Sequence, residues 1–301
     1  MYKVAVLLST FNGERFIKDQ LISLRNQKKV KIKLFIIDDG STDNTLQIIK
    51  KFNITKKIYK TKNFKNPVKN FLYLIDKVPK NFDFYCFADQ DDVWLPTKLF
   101  YSISQIKKYK ADVCGSRTFY TDKNLNITGK STLFKKKPSL ENSLVQSITG
   151  GNTQLWSKKF NNILKKIKIK NPASHDWYIY QVSFLFNFKF LYIKKPLIYY
   201  RQHQNNLIGS NIGFISTLRR IYWGLSGRYK KWHDMNQKHF NYIIKYFKVN
   251  VKNKNLVKKF YKLRNKSINS RLKLILIKER VHRQTTLGNF LLFVALILKK
   301  V

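Results

Sequence analysis

The first hundred residues alternate between two periodicities, and few folds satisfy that pattern. Residues 3–9 carry an apolar run that predicts a buried strand. Residues 14–26 place Phe16, Ile17, Leu21 and Leu24 at helical spacing. A second buried strand over 33–37 ends at Asp38-Asp39-Gly40, where Ser41 or Thr42 is placed to cap a helix running to Phe52, with Leu46, Ile48 and Ile49 inward. A short strand over 57–59 follows. Pro67 then opens a helix with Val68, Phe71, Leu72 and Ile75 on one side. A strand over 82–88 and a helix over 96–109 complete the series. Strands and helices alternating at this pitch imply βαβ units and a largely parallel sheet. Such sheets bind ligands beyond the carboxyl ends of their strands. The polar clusters Ser9-Thr10, Asp38-Asp39 and Asp89-Gln90-Asp91 all sit at such ends.

The last of these clusters, Asp89-Gln90-Asp91-Asp92, packs three carboxylates into four positions after an apolar strand. The whole chain has 16 acidic residues against 60 Lys and Arg, so this clustering calls for something to offset the repulsion. A hard divalent cation, Mg²⁺ or Mn²⁺, does so and leaves coordination positions for substrate phosphates. Asp89 and Asp91 alternate and can face one ion and its ligand. The competing reading is a capped loop in which Asp92 or a neighbour caps the helix after Pro96. Trp94 and Pro96 anchor the loop in either case.

The formal net charge of +44 suits a polyanionic partner: nucleic acid, anionic lipid or a phosphorylated substrate. A Lys-rich compositional habit accounts for part of it. Cys86 and Cys114 have no metal or disulfide spacing and read as small buried hydrophobes in a reducing compartment. No secretory leader pattern opens the sequence. The longest apolar stretch, 287–298, is shorter than a spanning helix requires and ends in Lys299-Lys300.

Beyond residue 109 the pattern loosens. A strand over 112–120, a polar turn, a basic loop over 130–138 and a tight turn at Thr149-Gly150-Gly151-Asn152 lead to a strand over 154–157. A helix over 176–186 and a strand or hairpin over 188–200 follow. His175-Asp176-Trp177 admits two readings: a helix cap, or a general base at Asp176 with Trp177 stacking on a sugar face. Tyr199-Tyr200-Arg201-Gln202-His203 ends a strand-like run. Arg201 suits a diphosphate, and His203 is either structural or a further metal ligand. From 211 on, 22 Lys and Arg face only Asp234 and Glu279, with apolar residues at helical spacing, first at Leu218, Ile221, Tyr222 and Leu225. We read 1–210 as one domain and 211–301 as a basic helical region. That region either lies on an anionic membrane surface or covers the sheet as an ordinary bundle.

Ser9-Thr10-Phe11-Asn12-Gly13, Asp38-Asp39-Gly40-Ser41-Thr42-Asp43, Asp89-Gln90-Asp91-Asp92 and His175-Asp176 together resemble the inverting nucleotide-sugar glycosyltransferases of family 2, over about residues 2–210. The run Ala-Asp-Gln-Asp-Asp-Val-Trp, with His-Asp and Tyr-Arg-x-His later, is similar to a bacterial surface-polysaccharide subgroup that includes rhamnosyltransferases. The resemblance implies a GT-A fold: a mixed, mainly parallel α/β sheet flanked by helices, here with a basic α-helical C-terminal appendage. It implies a donor site at Ser9, Thr10, Asn12, Asp38, Asp39, Asp89 and Arg201, with Thr10 and Asp39 at the base and Asp89 on the ribose side. Asp91, completed by His203, would hold Mg²⁺ or Mn²⁺. Asp176 would be the catalytic base, and Gly150, Gly151 and Trp177 would line the acceptor pocket. Similar enzymes often carry a glycine in the stretch matching 63–70, and this chain has none there.

The expected activity is transfer of a sugar from dTDP-rhamnose or a UDP-hexose to a glycan, lipid-linked, at the cytoplasmic face of the plasma membrane. A nucleic-acid-binding protein would share the charge, but zinc spacing and helix-turn-helix or RNA-binding signatures are missing. A sugar nucleotidyltransferase would need a Gly-rich, basic loop after the first strand, which residues 9–13 do not supply.

Overall fold

The structure, a computed structural model, describes residues 1–60, 63–169, 171–203, 222, 226–276 and 281–301. It divides the chain into two compact units. The first comprises Met1–Thr132, Thr149–Lys168 and Lys189–Ser210, and the second Leu133–Ile148, Ile169–Phe188 and Asn211–Val301. The sequence reading drew one boundary near 210. In the structure two earlier segments group with the C-terminal helices.

The first unit is built on β1 (Tyr2–Thr10), α1 (Ile17–Arg25), β2 (Val30–Asp38), α2 (Thr45–Lys51), β3 (Lys56–Lys60), α3 (Pro67–Lys77), β4 (Phe84–Ala88), β5 (Val93–Trp94), α4 (Lys98–Lys108), β6 (Val113–Thr121) and β7 (Ile127–Lys130). A 3₁₀ turn (Gly151–Thr153), β8 (Leu155–Ser157), α6 (Lys158–Ile167) and β9 (Phe190–Arg201) complete it. The sheet order is β3-β2-β1-β4-β8-β6-β9-β5, with β7 beside β6. β1, β2, β3 and β4 pair in parallel, as do β6 and β9, while β8, β5 and β7 run antiparallel to their neighbours. The alternating periodicity implied the largely parallel sheet, and the family resemblance implied the mixed pairing.

Val4, Val6 and Leu8 of β1 pack with Leu34, Ile36, Ile17, Leu21 and Leu24 in one continuous apolar core. Buried on both faces, these strands read as unbroken apolar runs rather than alternating ones. Both cysteines are buried in the same unit and are free. The residues expected to be inward on α2 are only partly so: Ile49 is buried, and Leu46 and Ile48 are half-buried. Its cap also differs. Neither Ser41 nor Thr42 caps it: Asn44 holds the cap position without a side-chain capping bond, and Asp43 Oδ1 accepts from Thr45 N–H at 3.0 Å. Residues 188–200, left open between strand and hairpin, form one strand. Two register shifts against β6 accommodate Pro196, which lacks a ladder donor.

The second unit holds α5 (Leu140–Ser143), α7 (His175–Leu185), α8 (Arg228–Tyr246), α9 (Val251–Arg264), α10 (Ile268–Leu276) and α11 (Thr286–Ile297). The helix expected around Leu218, Ile221 and Leu225 lies outside the described residues.

Candidate active site

The carboxyl ends of β2, β1 and β4 lie side by side, and their loops form a hydrogen-bonded net. Gln90 is its hub. Its Oε1 accepts from Thr10 Oγ1 at 2.7 Å and from Phe11 N–H at 2.8 Å, while its Nε2 donates to Phe11 O at 3.0 Å. Gly13 sits against the same amide, and a Cβ there would fall 2.4 Å from Gln90 Oε1. Asn12 joins this loop to the next one. Its N–H donates to Ser41 Oγ at 2.9 Å, and its Oδ1 accepts from Thr42 N–H at 2.9 Å. Sequence reasoning missed Gln90, because a neutral amide between two carboxylates carries no signal of its own.

The two aspartates after β2 do different work. Asp38 is a turn-former, accepting from Ser41 N–H at 2.9 Å and Ser41 Oγ at 2.5 Å. Asp39 is buried and accepts from Lys65 N–H, Asn66 N–H and Asn70 Nδ2 at 3.1, 3.1 and 3.0 Å. Asn70 also donates to Ser9 Oγ at 3.0 Å. The missing glycine in 63–70 is offset here: Asn63 and Lys65 adopt φ of 51° and 47°, the left-handed region that glycine usually supplies. The backbone therefore approaches Asp39 without one.

β5 pairs antiparallel with the end of β9, Val93 opposite Tyr199. That register brings residues 201–203 alongside the acidic loop. His203 Nε2 lies 2.8 Å from Asp91 Oδ2, with its ring stacked on Phe16 at 4.9 Å. Arg201 is buried, and here the structure corrects the diphosphate assignment. Its Nε donates to Asp91 O at 3.0 Å, one terminal nitrogen to Asp19 Oδ2 at 2.9 Å and the other to Lys123 O. Its guanidinium lies over Phe16, 4.7 Å from the ring centroid. Arg201 holds the acidic loop in place rather than reaching for a ligand. Asp89 remains half-buried, its carbonyl taken by Gln20 Nε2.

Asp91 and His203 are hydrogen-bonded to each other, and carboxylate and imidazole are also ligand types for Mn²⁺. Among the described residues no group of three or more His, Cys, Asp or Glu converges. An ion held by these two side chains alone would keep most of its coordination sphere for other oxygen ligands, as Mg²⁺ usually does.

Asp92 is neither a metal ligand nor a cap. It is fully buried, and its Oδ2 accepts from Asn152 Nδ2 at 2.6 Å, tying the acidic loop to the Gly150-Gly151 turn. Burial, then the neighbouring charges of Asp91 and Asp89, raise its pKa well above the carboxylate range. Lys98, also buried, lies 3.0 Å from the Trp94 ring centroid, and burial pushes its pKa down to about 8. Asn152→Ala is expected to cost about 1–3 kcal/mol by leaving a buried carboxyl oxygen without its donor. Urea unfolding monitored by fluorescence measures this directly.

In the second unit, Asp176 occupies the first turn of α7. The cap is Ser174, whose Oγ accepts from Trp177 N–H at 3.4 Å, so the capping reading of Asp176 falls. Ser147 Oγ donates to Asp176 Oδ2 at 3.2 Å. Burial lowers the pKa of the adjacent His175, against the upward pull of Asp176. Trp177 departs from the expected sugar platform. It is 6% exposed, its Nε1 donates to Ser143 O at 2.6 Å and its ring meets His233 edge-on. In the first unit, Gly150 is exposed and Gly151 buried.

A mainly parallel sheet with an acidic loop at its strand ends matches the GT-A fold. The chain belongs to Glycosyl transferase family 2, whose sequence profile matches residues 5–191. It is 32% identical over 228 residues to the dTDP-rhamnosyl transferase RfbG of Shigella flexneri, covering 71% of this chain and 78% of that one. Among solved structures, S. aureus TarS 1-349 in complex with UDP-GlcNAc superposes with a TM-score of 0.62 at 18% identity, covering 92% of this chain and 77% of that one. The mannosyltransferase PcManGT from Pyrobaculum calidifontis, in complex with GDP-Man and Mn²⁺, has a TM-score of 0.55 at 11% identity, covering 98% and 73%.

Proposed function

We propose that this glycosyltransferase moves one sugar from a nucleoside-diphosphate sugar to a lipid-linked glycan, with inversion, in cell-surface polysaccharide synthesis. The donor is dTDP-rhamnose, in keeping with the rhamnosyl transferase relative, or a UDP-hexose. The observation that carries this reading is the Asp91–His203 pair, 2.8 Å apart beside the strand-end net. Asp39 and the Ser9–Thr10 strand end face the nucleoside, and Asp89 its ribose. Asp91 and His203 would hold Mg²⁺ or Mn²⁺, which would supply charge neutralisation at the diphosphate leaving group. Gln90, Asn12, Asp38 and Arg201 are positioning residues that fix the loops around the donor.

The acceptor hydroxyl attacks the anomeric carbon, and the bond from that carbon to the diphosphate oxygen breaks. Asp176 Oδ takes the hydroxyl proton, and the nucleoside diphosphate leaves with the bonding pair. One carboxylate at the acceptor, with charge neutralisation at the leaving group, suits a single displacement. A hydrolase would need two carboxyls flanking the bond. Gly150 and Gly151 form part of the acceptor side. The enzyme works at the cytoplasmic face of the membrane that carries its acceptor.

The test is a thermal-shift and turnover screen of nucleoside diphosphates and their sugars with Mn²⁺. Stabilisation by one base, and transfer from its sugar, is the expected result. Salt-sensitive DNA binding with no turnover of any nucleotide sugar overturns it. Asp91→Asn is expected to weaken Mn²⁺-dependent nucleotide binding by at least the about 10–100-fold that loss of an outer-sphere partner causes. Calorimetry with and without Mn²⁺ reads that change.

A further inference from the structure

Helix α11 is apolar along nearly its whole length, yet only Leu292 and Leu296 are buried. Leu287, Phe290, Phe293 and Leu298 are 52%, 61%, 39% and 47% exposed. Leu287, Phe290 and Phe293 recur every third residue and lie on one side of the helix. Isolated exposed apolar residues are ordinary, but a contiguous row of large ones marks an interaction surface.

The helix is firmly held from its other side. Arg271 of α10 donates from Nε to Leu296 O at 2.6 Å and from a terminal nitrogen to Ile297 O at 3.0 Å. Thr285 caps the opposite end, accepting from Gly288 N–H at 3.0 Å. The exposed row therefore belongs to an anchored element, not to a fraying terminus.

Charge selects the occupant. Residues 211–301 hold 22 Lys and Arg against Asp234 and Glu279. Asp234 is engaged by Arg264 at 2.6 Å. Lys299 and Lys300 close the helix, and Lys273 is exposed on α10, which packs beside it. A second copy of this chain would bring the same dense positive charge against itself. An anionic lipid surface supplies the opposite charge and an apolar interior together. At 12 residues the helix spans about 18 Å, and no described helix is long and apolar enough to cross a membrane. It suits lying in the interface plane.

We propose that the Leu287, Phe290, Phe293 and Leu298 face of α11 inserts into the headgroup region of an anionic bilayer, with Lys299 and Lys300 on its phosphates. This rests on the reading of the enzyme as one that works at a membrane, and it names the surface that does so.

The test uses the full chain with phosphatidylglycerol-rich and pure phosphatidylcholine vesicles. Wild-type protein is expected to sediment with the anionic vesicles and to be partly released by salt. Phe290→Ser with Phe293→Ser should weaken that binding by at least tenfold while circular dichroism and the melting transition stay unchanged. Phe290→Trp should shift its emission to the blue on adding anionic vesicles and be quenched by brominated lipid. Undiminished vesicle binding by the double serine variant, or an unshifted Trp spectrum, overturns the proposal. So does a dimer in light scattering that the serine variant dissolves, since the face would then be a seam between copies. Transfer to a water-soluble acceptor separates the two readings. Its retention in the serine variant leaves the enzymatic proposal intact whatever the vesicles show, and its absence in wild-type protein counts against that proposal alone.

Discussion

Asp176→Asn is expected to lower turnover by about 10²–10⁴-fold, the range that loss of a general base produces, with nucleotide affinity unchanged. The substitution keeps the shape of the side chain and its capacity to accept from Ser147 Oγ, which lies 3.2 Å from Asp176 Oδ2. Ser174, not Asp176, caps α7, so the helix loses no cap hydrogen bond. What disappears is a carboxylate able to take the acceptor proton. A control sharpens the assignment. Ser147→Ala removes the hydrogen bond but not the base, and should reduce turnover far less. Single-turnover kinetics with saturating donor, paired with calorimetry of nucleotide binding, separates chemistry from affinity. Full transfer by Asp176→Asn would dismiss the assignment, and a parallel loss of nucleotide binding would place Asp176 with the donor instead.

The parts of the fold that local periodicity controls were legible in the sequence. β1, β2 and β4 are apolar on both faces because the sheet is covered on both, and an unbroken apolar run has few alternatives. Their carboxyl ends follow from the runs, and with them the polar rim at Thr10, Asp39 and Asp91. Division of labour among those polar groups was not legible. Arg201 invites a diphosphate role on charge alone, yet its donors are taken by Asp91 O, Lys123 O and Asp19, partners 78 to 182 residues away. Asn152 holds Asp92 across 60 positions, and Gln90 holds Thr10 across 80. No periodicity reports such pairings. Trp177 carries another such pairing: its indole N–H is committed to Ser143 O, 34 residues earlier, and the ring is buried. The left-handed Asn63 and Lys65 show the converse, a backbone conformation reached without the residue that usually signals it.

Acidification is expected to destabilise the second unit in the window from about pH 6.5 down to about pH 3. His233 and His239 lie on the inner face of α8, each 3% exposed. His233 meets Trp177 and Phe260, and His239 meets Tyr178 and Phe240. Among the described residues, Nδ1 of His233 and both nitrogens of His239 have no hydrogen-bond partner. Burial pushes both pKa values from 6.5 to about 3, with Arg264 and Arg283 adding to the effect at His233. The sign follows from the order of protonation. Above pH 6.5 both rings are neutral whether the chain is folded or not, and no stability is lost. Below it the unfolded chain binds protons that the folded chain refuses, so unfolding becomes progressively easier until the folded rings protonate near pH 3. At pH 5 each histidine has lost about 1.5 pH units of this balance, or about 2 kcal/mol at about 1.4 kcal/mol per unit. Two such losses are a large share of the about 5–15 kcal/mol that holds a typical domain together. Urea unfolding at pH 7 and pH 5, followed by far-ultraviolet circular dichroism, measures the loss. His239→Phe removes one of the two titrating rings while keeping an aromatic side chain against Tyr178, and should recover about half of it. An equal loss in that variant would mean that the acid sensitivity arises from groups other than these rings.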